Sequence, residues 1–310
     1  MIKNKKQKQK KVPVKVYLRN TWQLYLMLLI PVIYIILFKY KPMLGVVAAF
    51  KKFNVFAGIW KSPWVGLEHF REAFGSAEFW SALKNTLILN IGDLILGFPF
   101  PILIAVFLFE INSKKIRKVT QTILYLPNFL SWVIIAGIVT QLFSSSGLIN
   151  ELFRKMGLGE VGFLSSPSAW RFVYWISGIW QSAGYSLIIY LAALTSTDPS
   201  LGEAAYIDGA TRLQRIWHVT LSQIRPTISI MLIMQLGKII SIDFDRPYML
   251  GNTLVKSASD VISTYVYNVG LQSGRFDFAT AVGLFQSVVG IILILSVNQI
   301  SKKMGEEGIM

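Results

Sequence analysis

The sequence predicts an all-α integral membrane protein with six transmembrane helices, and three observations carry that prediction. Of 310 residues, 53% are hydrophobic and only 15% are charged, with a mean hydropathy of +0.51; soluble domains hold nearer a quarter charged residues. Six apolar stretches approach or exceed the roughly 20 residues that cross the hydrocarbon core as a helix. Basic residues gather at the ends of alternate stretches, the mark of cytoplasmic flanks.

The elements follow in order. A tail over 1–20 carries eight Lys/Arg. The apolar stretch after it is too long for a cleavable signal peptide and lacks a small-residue cleavage site. The first span covers 21–38, with Trp22 and Tyr25 at its inner end and Pro31 as a tolerated kink. Segment 39–82 is rich in aromatics (Phe53, Phe56, Trp60, Trp64, Phe70, Phe74, Phe79, Trp80) and reads as an ordered extracytoplasmic cap. Spans two and three cover 83–109 and 119–143, joined by a basic connector holding Lys114, Lys115, Arg117 and Lys118. Span four covers 170–194, span five 226–250 and span six 278–300, before a tail over 301–310. Connectors on the side of the termini hold 17 basic residues and the longer opposite ones 10, so both termini are placed in the cytoplasm. One membrane domain fills the chain between the tails.

Composition also excludes. The net charge of +15 sits beside spans without interleaved aromatics, so it speaks for lipid and against nucleic acid. There is no cysteine, hence no disulfide, thiolate metal site or thiol nucleophile, and no metal site is expected. No GxxxxGK[ST] phosphate loop exists. Clustered carboxylates facing one membrane surface, which a polysaccharide-assembling enzyme would need, are also missing.

The connector over 196–225 is too ordered for a simple link. Asp198 is an N-cap with Pro199 at the first helical position. Glu203, Ala204 and Ala205 follow on a short helix whose small residues let another protein come close. Asp208 precedes Gly209, which tolerates positive φ and ends that helix. After Ala210, Thr211 and Gln214 have capping-box spacing and restart a helix on which Leu213, Ile216, Trp217 and Thr220 share a face. Pro226 opens the next span. This is the shape of a docking element.

Glu203-Ala204-Ala205-x-x-Asp208-Gly209-Ala210, continuing to Ile216, Leu221 and Pro226, resembles the EAA loop of binding-protein-dependent ABC importer permeases. The likeness includes VGLEHFREAF (65–74), YLPNFLSWVI (125–134), IIYLAAL (188–194), the stretch over 265–290 and the terminal GEEGIM. It covers nearly the whole chain and looks most like the polysaccharide/oligosaccharide, LplB-like branch. The resemblance implies a MetI-like permease fold and a second homologous permease subunit, paired as a heterodimer. It also implies two cytoplasmic ATPase subunits that bind the ATP and Mg, an extracytoplasmic solute-binding protein, and a bacterial cell membrane. Glu203, Ala204, Ala205, Asp208, Gly209 and Ala210 carry over as ATPase-coupling residues. This chain would hold no cofactor and would not itself be an enzyme. Ser222 departs from the family, where many members have proline, which would loosen the end of the coupling helix.

Ionisable residues within spans face protein or a water-filled cavity. Asp93 reads as structural; Asp243 and Arg246, three apart, can pair on one helix face. Trp175, Gln181, Tyr185, Gln235, Asp243, Asp245 and Arg246 are the candidates for a saccharide path: aromatics stack on sugar rings, while amides and charges bind hydroxyls or a carboxylate. Each also has a structural reading, as packing or as an ion pair. A Lys238/Arg246 pair would suit an acidic oligosaccharide. The competing function is a stand-alone secondary transporter or channel, which would not need a docking loop.

Overall fold

The computed structural model describes residues 14–111 and 113–303, with side chains from residue 20 onward; most of both tails lies outside these residues. Helices and turns make up the fold, and the sole extended pairing among the described residues is an isolated bridge between Lys51 and Trp64. Four helical stretches are long and apolar enough to cross a bilayer: Asn20–Phe50, Ala77–Phe109, Trp132–Lys155 and Phe276–Lys303. The 29-residue helix Pro167–Thr195 is about 43 Å long at 1.5 Å per residue but carries more polar side chains.

That helix is the central mast. Along its length it meets Ala77–Phe109, and three clusters of buried side chains are strung around the pair. Leu89, Ile135, Trp170, Val173, Tyr174 and Leu250 belong to the first. Phe79, Ile262, Tyr265 and Phe278 anchor the second, and Val106, Leu187, Tyr190, Leu194 and Ile224 the third. Close approach depends on small residues, as is usual where lipid removes the hydrophobic drive between helices. A Cβ on Gly184 would lie 2.1 Å from the Leu124 carbonyl oxygen. Trp170 locks the far end by donating its indole N–H to the Leu250 carbonyl (2.8 Å).

Ala77–Phe109 starts where Ser76 caps it, accepting from the Phe79 N–H (3.2 Å). It is not uniform. Pro99 has no N–H to offer the carbonyl four residues back, and the backbone widens over Asp93–Gly97 into a π turn closed by Phe98 N–H to Asp93 O (3.1 Å). Such turns are frequent at functional positions, and this one sets the direction of Asp93.

Two helices expected to be continuous are broken. The stretch expected over 119–143 is helix Lys114–Tyr125, a 3₁₀ turn over Leu126–Phe129, and helix Trp132–Phe143. Pro127 cannot donate to the carbonyl of Ile123, and Ser131 caps the second piece. The stretch expected over 226–250 is helix Arg225–Gly237, an irregular segment over 238–244, and helix Asp245–Leu250. Pro247 cannot donate to the Asp243 carbonyl, so a continuous helix is not available here. Side-chain amides of neighbouring helices satisfy the freed carbonyls instead: Asn90 donates to Ile239 O (2.7 Å) and Ser241 O (3.3 Å), and Gln286 to Ile240 O (2.8 Å). Irregular backbone inside a membrane bundle survives only when so satisfied.

The 39–82 segment folds against the start of the last helix. His69 Nε2 lies 3.0 Å from Lys51 O and 3.5 Å from the Asp277 carboxylate, which also accepts from Phe53 N–H (3.1 Å). Arg275 grips Glu72 through both guanidinium nitrogens (2.5 and 2.6 Å). That pairing holds the Glu72 carboxyl below the usual carboxylate range and pushes Arg275 up.

Candidate functional site: an interior polar cavity and an exposed connector

The break over 238–244 opens a polar cavity of about 370 Å³, on whose wall stand Asn90, Asp93, Gln181, Gln235, Lys238 and Asp243, with Arg246 beside them. A second hollow of about 250 Å³ shares Asp93, Gly178, Ser182, Gln235 and Arg246 and reaches Tyr190 and Met231. Four helical segments therefore place their polar residues around one space.

Arg246 is the organising group, and its partner corrects the sequence reading. Asp243 does not pair with it. Asp93 does, accepting from Arg246 Nη1 (2.8 Å) and Nη2 (3.1 Å) in a fork. The π turn at Asp93 and the break before Asp245 bring together groups 153 residues apart, so helix periodicity could not find the pair. Nη2 also donates to the Tyr174 carbonyl, and the guanidinium lies 3.6 Å above the Tyr174 ring and 5.4 Å from that of Trp132. Gly178 makes room, because a Cβ there would stand 2.1 Å from Nη2. Arg246 and Asp93 side chains are 12% and 19% exposed.

The other sequence candidates divide. Gln181, Gln235 and Asp243 line the cavity. Trp175 instead packs on its neighbours: its indole donates to Leu89 O (3.0 Å) and fills the space a Cβ on Gly92 would take. Tyr185 and Asp245 are exposed and outside the lining. Asn90, Gln286, Gly178 and Trp132 were missed. Asn90 and Asp93, three apart in an apolar helix, were the available signal.

At the opposite end of the Arg225–Gly237 helix lies the connector. Asp198 accepts from Ser200 N–H (2.9 Å), which holds its carboxyl below the usual range, and its own N–H donates to Gln223 (3.1 Å). The first helix runs Pro199–Ile207. Gly209 has φ +80° with open space where a Cβ would stand, so backbone conformation alone demands glycine. Thr211 and Gln214 form the expected capping box. The helix it starts winds as a π turn over Ile216–Thr220, and that extra residue splits the expected shared face. Leu213 and Trp217 point outward, 78% and 70% exposed, while Ile216 packs into the third cluster. Ser222, expected to loosen the helix end, donates back to His218 O (2.6 Å).

Glu203, Ala204, Asp208 and Gly209 are exposed, and Ala205 and Ala210 half-buried. Glu203, Tyr206 and Ile207 face an open hollow of about 540 Å³; Ala205, Asp208, Gly209 and Ala210 edge another of about 420 Å³. Arg212 ties the connector to the end of Ala77–Phe109 through Glu110 (3.0 Å), and Arg215 lies over the Tyr206 ring (5.2 Å).

A multi-pass helical bundle with a polar interior cavity and a capped, exposed connector is a membrane transport permease. The chain belongs to the family described as the binding-protein-dependent transport system inner membrane component, whose sequence profile matches residues 76–305. It is 43% identical over 306 residues to the polygalacturonan/rhamnogalacturonan transport system permease protein YteP of Bacillus subtilis (strain 168), covering 98% of this chain and 95% of that protein. It is 40% identical to Protein LplB of the same organism, over 94% and 92% of the two chains. A solved bacterial ABC transporter involved in the import of the acidic polysaccharide alginate contains a chain 43% identical to this one. The two superpose with a TM-score of 0.86 over 94% of this chain and 98% of the other. A solved bacterial alginate ABC transporter in complex with an alginate pentasaccharide-bound periplasmic protein contains a chain 42% identical, with a TM-score of 0.86 over 94% of this chain and 98% of that one.

Proposed function

We propose that this chain forms half of the translocation path of an ATP-driven importer of polysaccharide-derived, acidic oligosaccharides in a bacterial cell membrane. In this reading it crosses the membrane six times with both termini in the cytoplasm. A second, homologous permease completes the path as a heterodimer, an extracytoplasmic solute-binding protein delivers the saccharide, and two ATPase subunits bind and hydrolyse the ATP. The names of the relatives support the cargo class, and the absence of a phosphate loop in the sequence supports separate ATPases.

The observation that carries the reading is the mechanical link between connector and cavity. The connector continues through Pro226 into the helix that ends at the cavity, and Arg212–Glu110 joins it to the helix that carries Asp93. A capped element displaced by ATPase closure would thus move both walls of the path. Glu203, Ala204, Ala205, Asp208, Gly209 and Ala210 form the coupling surface; Gln181, Gln235, Asp243 and Arg246 line the path.

Glu203→Arg or Gly209→Arg is expected to abolish oligosaccharide uptake and saccharide-stimulated ATP hydrolysis in the reconstituted complex while membrane insertion stays normal. Normal uptake in both variants would refute coupling through this connector. A stand-alone secondary transporter would instead move the solute without the ATPases, down an ion gradient.

A further inference from the structure

Among the described residues two cations line the cavity, and one of them, Lys238, is in no ion pair. Arg246 already directs both terminal nitrogens to Asp93, one of them also to Tyr174 O, with its Cζ over the Tyr174 ring. Asp93 already neutralises it, its Nε is buried, and the side chain is only 12% exposed, so a ligand carboxylate would gain little there. Lys238 differs. It is exposed to the cavity and forms no ion pair among the described residues.

Lys238 also stands where a charge is favoured. It follows Gly237 at the C-terminal end of helix Arg225–Gly237, the negative end of the helix dipole, which attracts a cation. Its ammonium makes no hydrogen bond among the described residues, and the carbonyls of Ile239, Ile240 and Ser241 in the break take their donors from Asn90 and Gln286. A cation so placed within a span and lacking a protein counter-ion marks a ligand path. On the same wall Asp243, which forms no ion pair among the described residues, offers carboxyl oxygens as acceptors. This cation and this acceptor match a sugar unit that carries both a carboxylate and vicinal hydroxyls.

We infer that Lys238 is the residue that selects for acidic saccharides in this path, binding a uronate carboxylate while Asp243 accepts from neighbouring hydroxyls. Arg246 is in this assignment a positioning residue, held by Asp93 to shape the wall. The inference rests on the importer reading above and names the group that sets its substrate class.

The test is uptake of trigalacturonate into proteoliposomes holding the whole importer with its binding protein. Lys238→Gln is expected to lower uptake at limiting substrate at least tenfold, and Lys238→Arg, which keeps the charge, to restore it to within about threefold of the parent. Assembly of each variant with its partners is checked by gel filtration. Unimpaired uptake by Lys238→Gln, or failure of Lys238→Arg to restore it, overturns the inference. A parent importer that moves neutral arabinotriose but not trigalacturonate overturns it together with the acidic cargo, and leaves ATP-driven oligosaccharide import standing. Uptake of neither saccharide would overturn the importer reading itself.

Discussion

Asp93→Ala tests the buried pair at the centre of the cavity. It removes both oxygens that Arg246 grips at 2.8 and 3.1 Å and leaves a guanidinium, 12% exposed, without its counter-ion. Each charge-assisted hydrogen bond contributes about 1.5–3 kcal/mol. Breaking a buried pair from one side costs about 3–5 kcal/mol. The Tyr174 ring and carbonyl remain as partners, and a cation over a desolvated ring is worth about 2 kcal/mol, so the expected loss lies toward the lower end, about 3 kcal/mol. The assay is SDS-induced unfolding of the purified protein followed by tryptophan fluorescence. The double variant Asp93→Ala/Arg246→Met should recover most of that loss, because no orphaned charge remains. A single variant within about 1 kcal/mol of the parent, or a double variant no better than the single, would refute the claim that Asp93 is the counter-ion of a buried Arg246.

Three further outcomes are expected. Gly184→Leu should prevent stable folding, since its Cβ would meet the backbone carbonyl of Leu124 at 2.1 Å and backbone cannot swing aside; purification yield and gel-filtration profile report it, and a monodisperse variant would contradict the packing. Asn90→Ala should cost about 1–3 kcal/mol in the same unfolding assay, because the Ile239 and Ser241 carbonyls lose their donor; an unchanged midpoint would show that they find another. For the Glu72–Arg275 clasp, the folded carboxyl sits below its unfolded value of about 4.3. Its contribution is therefore present above that range and lost as pH falls through the folded value. Glu72→Gln should flatten the acid side of the stability profile by less than about 1 kcal/mol, as befits a half-exposed pair, and an unaltered profile would exclude the clasp from acid unfolding.

Much of the fold was legible because lipid imposes strict rules. Long apolar runs located the helices around residues 30, 95, 180 and 290, and capping chemistry at Asp198, Gly209 and Thr211 gave the connector its internal order. The breaks were less visible. Pro127 and Pro247 each announce an interruption, yet an apolar run around a proline reads as one tolerated kink until it is known which amides stand ready to serve the freed carbonyls. Asn90 and Gln286 do so from other helices, and no local pattern reveals that. The Asp93–Arg246 pair was misassigned for the same reason. Spacing offers Asp243 as a neighbour of Arg246, but the irregular backbone between them removes the helix face they would share. Trp175 and Tyr185 looked like sugar-stacking residues by type, and only packing against Gly92 and outward exposure separate them from the cavity lining.

The most direct test of the account places a photo-crosslinking residue at position 207, 83% exposed at the end of the Pro199–Ile207 helix, in cells producing the complete importer. The account predicts that illumination joins this chain to an ATPase subunit. It also predicts that a cysteine at the same site, in a chain with no other cysteine, stays unlabelled by a membrane-impermeant reagent added outside. Labelling from outside, or no crosslink to an ATPase subunit in a complex that still imports its saccharide, would contradict it.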